Sequence, residues 1–187
     1  MKRLFVLSLL VLIAAAGVGA QDATTPRSGD FGIGASVSSS ENTALVFYHI
    51  TDSLMLAPQV GLFHFNYADT AGGTTTDFPD TWWDIGLGFY YVVRPFEHLC
   101  LQVGPSVEFA SESGTSHTTG NDFQFTYWTA ALNLRALAMI TKNLGVFTTF
   151  GAYFYSQDNK DKTASTESVK TGFGILSLSL GVAYYFK

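Results

Sequence analysis

From Phe31 onward, large apolar side chains recur at every second position rather than every third or fourth. In the last segment Leu176, Leu178, Leu180, Val182, Tyr184 and Phe186 share one parity. Ser177, Ser179, Gly181, Ala183 and Tyr185 share the other. A helix would scatter the first set around its axis, whereas a strand lines it up on one face. The same alternation sets Leu99, Leu101, Val103, Val107 and Phe109 against Cys100, Gln102, Gly104, Ser106 and Glu108. It sets Trp83, Ile85, Leu87, Phe89, Tyr91 and Val93 against Asp84, Gly86, Gly88, Tyr90 and Arg94. Trp128, Ala130, Leu132, Leu134 and Ala136 oppose Thr129, Ala131, Asn133 and Arg135, and Phe31, Ile33, Ala35 and Val37 form a first short row. Strand two shows no clear face, and strand three loses its alternation after Leu62.

Eight strands are predicted, at about 31–39, 44–50, 54–67, 81–94, 99–111, 123–140, 144–156 and 169–186. Short turns fall at 51–53, 95–98 and 141–143, and a brief first loop near 40–43. Longer polar loops are predicted at 68–80, 112–122 and 157–168. An internal period accompanies them. Leu54, Leu99 and Leu144 each open a strand after a short turn, 45 residues apart, and Ile50-Thr51-Asp52-Ser53-Leu54 is nearly copied as Ile140-Thr141-Lys142-Asn143-Leu144. With two long strands per period, the repeating unit is a hairpin rather than a four-stranded propeller blade.

The first twenty residues follow a different rule. Lys2 and Arg3 precede an apolar run from Leu4 to Ala16, and Val18-Gly19-Ala20 places small residues where a signal peptidase reads them. Cleavage is therefore expected between Ala20 and Gln21. The thirteen-residue run rises only about 20 Å, short of a hydrocarbon core of about 30 Å.

Composition then separates water from lipid. Only 13% of the 187 residues are charged, about half the usual share of a soluble domain. The net charge of −5 gives a nucleic-acid partner no basic patch to use. The lone cysteine, Cys100, excludes an internal disulfide and a multi-cysteine metal site. Within the predicted strands the charges are Asp84, Arg94, Glu108 and Arg135, with Lys170 and Lys187 at strand ends. The bulky face carries none mid-strand, and a water-facing exterior would need them. In lipid every backbone polar group must be paired within the protein, so strands that span must close into a ring. Aromatics cluster at strand ends as well: Trp82, Trp83, Tyr127 and Trp128 on the loop side, Tyr184, Tyr185 and Phe186 on the other. The expected fold is an all-β, eight-stranded antiparallel up-and-down transmembrane barrel.

Signal peptide, eight strands, short turns on one side, long loops on the other and an ending of Tyr184-Tyr185-Phe186 resemble small outer-membrane barrels of the OmpA/OmpX/OmpW and opacity-protein type. The resemblance covers roughly residues 31–186. It implies a signal peptide at 1–20, a short periplasmic segment at 21–30 and a barrel at 31–187, in the outer membrane of a diderm bacterium with long loops outside and termini in the periplasm. It also implies recognition of the strand ending at Phe186 by the barrel-assembly machinery, although Lys187 follows the aromatic residue that usually comes last. Outer-membrane lipid is the expected surroundings, with an extracellular partner reached through the loops.

Candidate chemistry is sparse. His49, His64, His98 and His117 lack the spacing of a zinc site, and no nucleophile elbow or phosphate-binding loop is present. His117 beside Ser116 and Asp122 is the one catalytic combination, and it sits in a polar loop. The expectation is a protein without cofactor or enzymatic activity. Asp84 and Glu108 toward the loop side, with Arg94 and Arg135 toward the short turns, are expected to form a polar network inside the barrel. That network either fills and stiffens the interior or lines a narrow passage. The two functional readings are a structural or surface-interaction barrel and, alternatively, a narrow channel for small or hydrophobic solutes.

Overall fold

The computed structural model describes residues 24–37, 42–71, 74–115, 121–161 and 166–186, with the side chains of 63–79, 159–167 and 176–177 also outside the description. Eight antiparallel strands follow in chain order: β1 (Phe31–Val37), β2 (Asn42–Thr51), β3 (Leu54–Ala71), β4 (Thr74–Phe96), β5 (Leu99–Thr115), β6 (Asp122–Met139), β7 (Leu144–Asp161) and β8 (Thr166–Phe186). Each pairs with the next, and β1 pairs with β8 from Phe31↔Phe186 to Val37↔Leu180, so the sheet closes on itself. Closure leaves no edge strand to be satisfied in lipid.

The two near-copied turns use the same hydrogen bond. Thr51 Oγ1 accepts from the N–H of Ser53 at 3.2 Å, and Thr141 Oγ1 accepts from the N–H of Asn143 at 3.3 Å. A threonine that bonds the backbone two residues on is a local turn-former. The sequence repeat is thus a repeat of turn chemistry.

At the other end the strands run much further than alternation predicts. The β3–β4 ladder continues to Ala71↔Thr74, β5–β6 to Thr115↔Asp122 and β7–β8 to Asp161↔Thr166. Of the predicted loops, 68–71, 74–80, 112–115, 122, 157–161 and 166–168 are therefore paired strand. A span needs only about 9–11 residues, and β4 has 23. The excess length stands beyond the apolar belt, in polar sequence that carries no alternation to detect. Thr70, Thr74, Thr75 and Thr76 are β-branched and suit such a ribbon.

The outward face is an apolar belt that includes Ile33, Val60, Ile85, Leu87, Val107, Leu132 and Val182, all exposed. Rows of aromatic rings border it. On one side Phe109 lies between Trp83 (ring centroids 5.4 Å apart) and Trp128 (4.7 Å). On the short-turn side Phe31, Tyr184 and Phe186 form a second group, with Tyr91 and Phe96 also exposed. Trp83 and Tyr91, both on β4, are separated by about 27 Å of strand. Tilted by about 40°, this spans about 20 Å, somewhat less than the apolar band of about 25 Å in outer-membrane barrels. Some of the aromatics expected in these girdles face inward instead: Trp82 and Tyr127 line an interior cavity, and Tyr185 is buried.

One strand breaks the expected parity. In β8 the pairing with β7 shifts between Thr149↔Ser179 and Gly151↔Leu176, a bulge that sets two β8 residues against Phe150. Below it Val182, Tyr184 and Phe186 face out as alternation predicts. Above it the outward positions become Val169, Phe173 and Ile175, the last two 74% and 73% exposed. A single even-numbered face from Leu176 to Phe186 is therefore corrected to two faces joined by a bulge. An extra residue reverses every side chain beyond it.

Inside, the short-turn half is filled. Leu45, Phe47, Met55, Cys100, Leu137, Met139, Phe147 and Tyr185 form one buried cluster. Glycines make room for its rings. A Cβ on Gly32 would meet the Tyr185 ring at 2.8 Å, and one on Gly181 would collide with the Phe147 ring. This core explains the faceless second strand. Where β2 passes it, Leu45 and Phe47 point inward while Val46, Tyr48 and Ile50 point toward lipid, so both faces are apolar.

Candidate functional site

The interior divides into three levels. At the short-turn end, residues 24–30 fold beneath the barrel and close it. Thr25 N–H donates to Glu97 O at 2.7 Å, Gly29 N–H to His49 O at 2.7 Å, and Ser28 N–H to the Asp52 carboxylate at 3.0 Å. Gly29 adopts φ +86°, a left-handed turn that glycine takes without strain. Thr25 and Pro26 are fully buried. Asp52 lies in a turn outside the membrane-spanning strands. The Ser28 N–H bond, aided by the charges of Arg27, Arg94 and His49, holds its carboxyl below the ordinary range despite some opposing desolvation.

Arg94 belongs to this cap. Its guanidinium donates to the carbonyls of Pro26 and Asp52, with Nε at 3.1 Å from Pro26 O. Arg94 was expected to join one network with Asp84, Glu108 and Arg135, and here the expectation is corrected. The apolar core lies between Arg94 and the other three, so its partners are the backbone beneath the barrel.

Arg135 sits where core meets chamber. It is 3% exposed, and its guanidinium carbon lies 5.3, 4.9 and 5.1 Å from the ring centres of Phe47, Tyr90 and Phe147. Its Nε–H donates to Thr149 Oγ1 at 3.0 Å. Above it a polar chamber of about 110 Å³ is bounded by Ser36, Thr43, Gln59, Ser106, Glu108, Asn133, Thr149 and Ser179 among others. Asn133 Nδ2 donates to Ser106 Oγ at 2.7 Å, and Gln59 Nε2 donates to Glu108 at 2.8 Å. Glu108 and Thr129 also bound a wider vestibule of about 350 Å³ with Asp80, Trp82, Glu112 and Tyr127. There Tyr127 O–H donates to the Glu112 carboxylate at 2.7 Å.

Asp84 is 1% exposed and pairs with Gly61 and Ala110 across its neighbouring strands. Its carboxylate lies over Gly61, where a Cβ would collide with it. Asp84, Glu108 and Arg135 therefore share the inward face. Gln59, Tyr90, Asn133, Glu112 and Tyr127 complete the wall; the sequence names none of them for the network and puts Tyr127 in a girdle, although the parity of Asp84 and Arg135 places Tyr90 and Asn133 on the same face.

Among the described residues, the remaining candidates lie apart from this chamber. His117 and Ser116 lie outside the described residues, as do Ala20 and Gln21, and Asp122 is bound by Thr115 Oγ1 at 2.8 Å. His49 is buried above the cap, and His98 stacks on Phe96. No cluster of histidine, cysteine or carboxylate able to hold a metal ion occurs among the described residues.

A closed ring of eight strands, a charge-free outward belt and aromatic borders define a small outer-membrane β-barrel. Solved structures of small outer-membrane barrel proteins are among those the chain is similar to. They include a major outer membrane protein from Thermus thermophilus (18% identity, 84% of this chain and 98% of that one, TM-score 0.49). The N-terminal β-barrel domain of Pseudomonas aeruginosa OprF (16%, 86% and 100%, 0.44) and the attachment invasion locus protein Ail of Yersinia pestis (10%, 85% and 99%, 0.44) are also similar. These likenesses concern fold alone. No family model and no curated protein sequence matches the chain.

Proposed function

We propose that the protein is a structural or surface-interaction barrel of the outer membrane that carries no through-channel. The observation behind this reading is the filled short-turn half. An aromatic and aliphatic core spans the interior there, and residues 24–30 close it from below. Its few buried polar side chains, such as His49 and Gln102, are too sparse among the apolar ones to replace the hydration of a permeating ion. In this reading the short turns and both termini face the periplasm and the extended hairpins face outward, as is the rule for outer-membrane barrels. Export begins with cleavage between Ala20 and Gln21. Phe186, which faces outward beside Phe31 and Tyr184, is the terminal aromatic offered to the assembly machinery. The paired hairpins beyond the belt give an extracellular partner a firm surface.

Conductance in planar bilayers tests this reading. The purified full chain should insert without steady ion current at neutral pH. A reproducible ohmic step per inserted barrel would instead make it a narrow channel.

A further inference from the structure

Arg135 is nearly fully buried and only partly satisfied. Nε–H is used by Thr149 Oγ1, while Nη1 has no hydrogen-bond partner among the described residues. Three aromatic faces stabilise the guanidinium through cation–π attraction. A buried guanidinium with an N–H left unbonded is still costly. The polar chamber that Arg135 bounds is where an acceptor for this N–H has room to sit.

The charges around that chamber run in sequence. Arg135 lies at the apolar core, Glu108 bounds both the chamber and the vestibule, and Asp80 and Glu112 bound the vestibule. A simple anion would pass three carboxylates to reach Arg135, and a simple cation would end its path against a guanidinium. We propose that the chamber binds a small zwitterion, its carboxylate on Arg135 and its ammonium or quaternary ammonium toward Glu108 and the Tyr90 ring. The chamber of about 110 Å³ shares Glu108 and Thr129 with the wider vestibule above it, so a solute the size of a small amino acid or betaine can seat its carboxylate end there. Hydroxyls of Ser36, Ser106 and Ser179 on the same walls give the carboxylate further donors. The proposal rests on the barrel being closed below, since a through-channel would not retain the ligand.

Isothermal titration of the full chain in detergent, with glycine betaine as probe, tests it. Saturable one-site binding is expected, with sodium acetate and tetramethylammonium chloride each at least about tenfold weaker. Arg135→Gln and Glu108→Gln should each weaken betaine binding by about tenfold or more. Should Arg135→Gln fail to assemble into a heat-modifiable barrel, Glu108→Gln carries the comparison. Acetate binding as tightly as betaine, with Glu108→Gln without effect, would overturn the zwitterion in favour of an anion site. Absence of binding by all three probes would overturn the proposal outright while leaving a non-conducting barrel intact. Current through the barrel would contradict closure instead.

Discussion

The two halves of this barrel interior are built from the same strands and solve opposite problems. Toward the short turns, inward positions hold Phe47, Met55, Leu137, Phe147 and Tyr185, packed as in a soluble core. Toward the hairpins, inward positions of the same strands hold Thr43, Gln59, Glu108, Thr129 and Ser179, which enclose polar space. Outside, both halves meet one apolar belt. The difference teaches that closure of an eight-stranded ring does not decide whether its lumen is dry. The inward residues decide it level by level, and Arg135 marks the change.

Stability should divide along this line, and the largest effect is expected in the dry half. Phe147→Ala removes a fully buried ring that packs on Phe47 at 5.6 Å and should cost about 3–5 kcal/mol. Thr129→Ala, on the wall of the vestibule, should change stability by less than about 0.5 kcal/mol. Urea unfolding from detergent micelles measures both. Equal costs would erase the distinction between the halves.

The belt comes next. Val107→Arg places a cation on the exposed apolar face and should cost about 2–4 kcal/mol where the bilayer is deepest. Ser113→Arg, on the same outward parity but beyond the aromatic row at Phe109, should change stability by less than about 0.5 kcal/mol. The fraction assembled into heat-modifiable barrel reports each. A harmless Val107→Arg would show that this face does not meet lipid.

A smaller effect is expected at the cap. Because the Asp52 carboxyl is held below its ordinary range, first by the Ser28 N–H, the ionised form favours the folded cap. That contribution is complete above the ordinary value of 3.8 and is lost as pH falls through the folded value. Amide exchange at Ser28 and Gly29 should be faster in Asp52→Asn than in wild type at neutral pH. The two proteins should converge as pH drops below about 4. A difference that persists in acid would assign the protection to something other than the carboxylate.

Sequence made the outer face legible and the inner face only partly so. Rows such as Trp83 to Val93 are read directly because lipid demands apolar residues at every outward position while the inward ones are mixed. β2 was unreadable for the converse reason: beside the apolar core, both of its faces are hydrophobic. The bulge in β8 could have been suspected from Gly172 and Gly174 alternating with Phe173 and Ile175, since these large residues sit on the parity opposite to Val182 and Tyr184. The hairpin extensions left no alternation to find. Of the four charges expected in one network, three share the inward face above or at the core. Arg94 was misplaced because nothing local to it shows that Pro26, 68 residues away, would fold beneath the barrel.

Cys100 offers the most direct test of a dry lower half, because it is a native, fully buried reporter within the core cluster. Maleimide labelling of the folded barrel in detergent should leave Cys100 unmodified until the protein is unfolded. Thr129→Cys in a Cys100→Ala background should label quickly through the vestibule. Labelling of Cys100 at a rate comparable to that at position 129 would mean that water reaches the short-turn half, and would contradict the sealed interior.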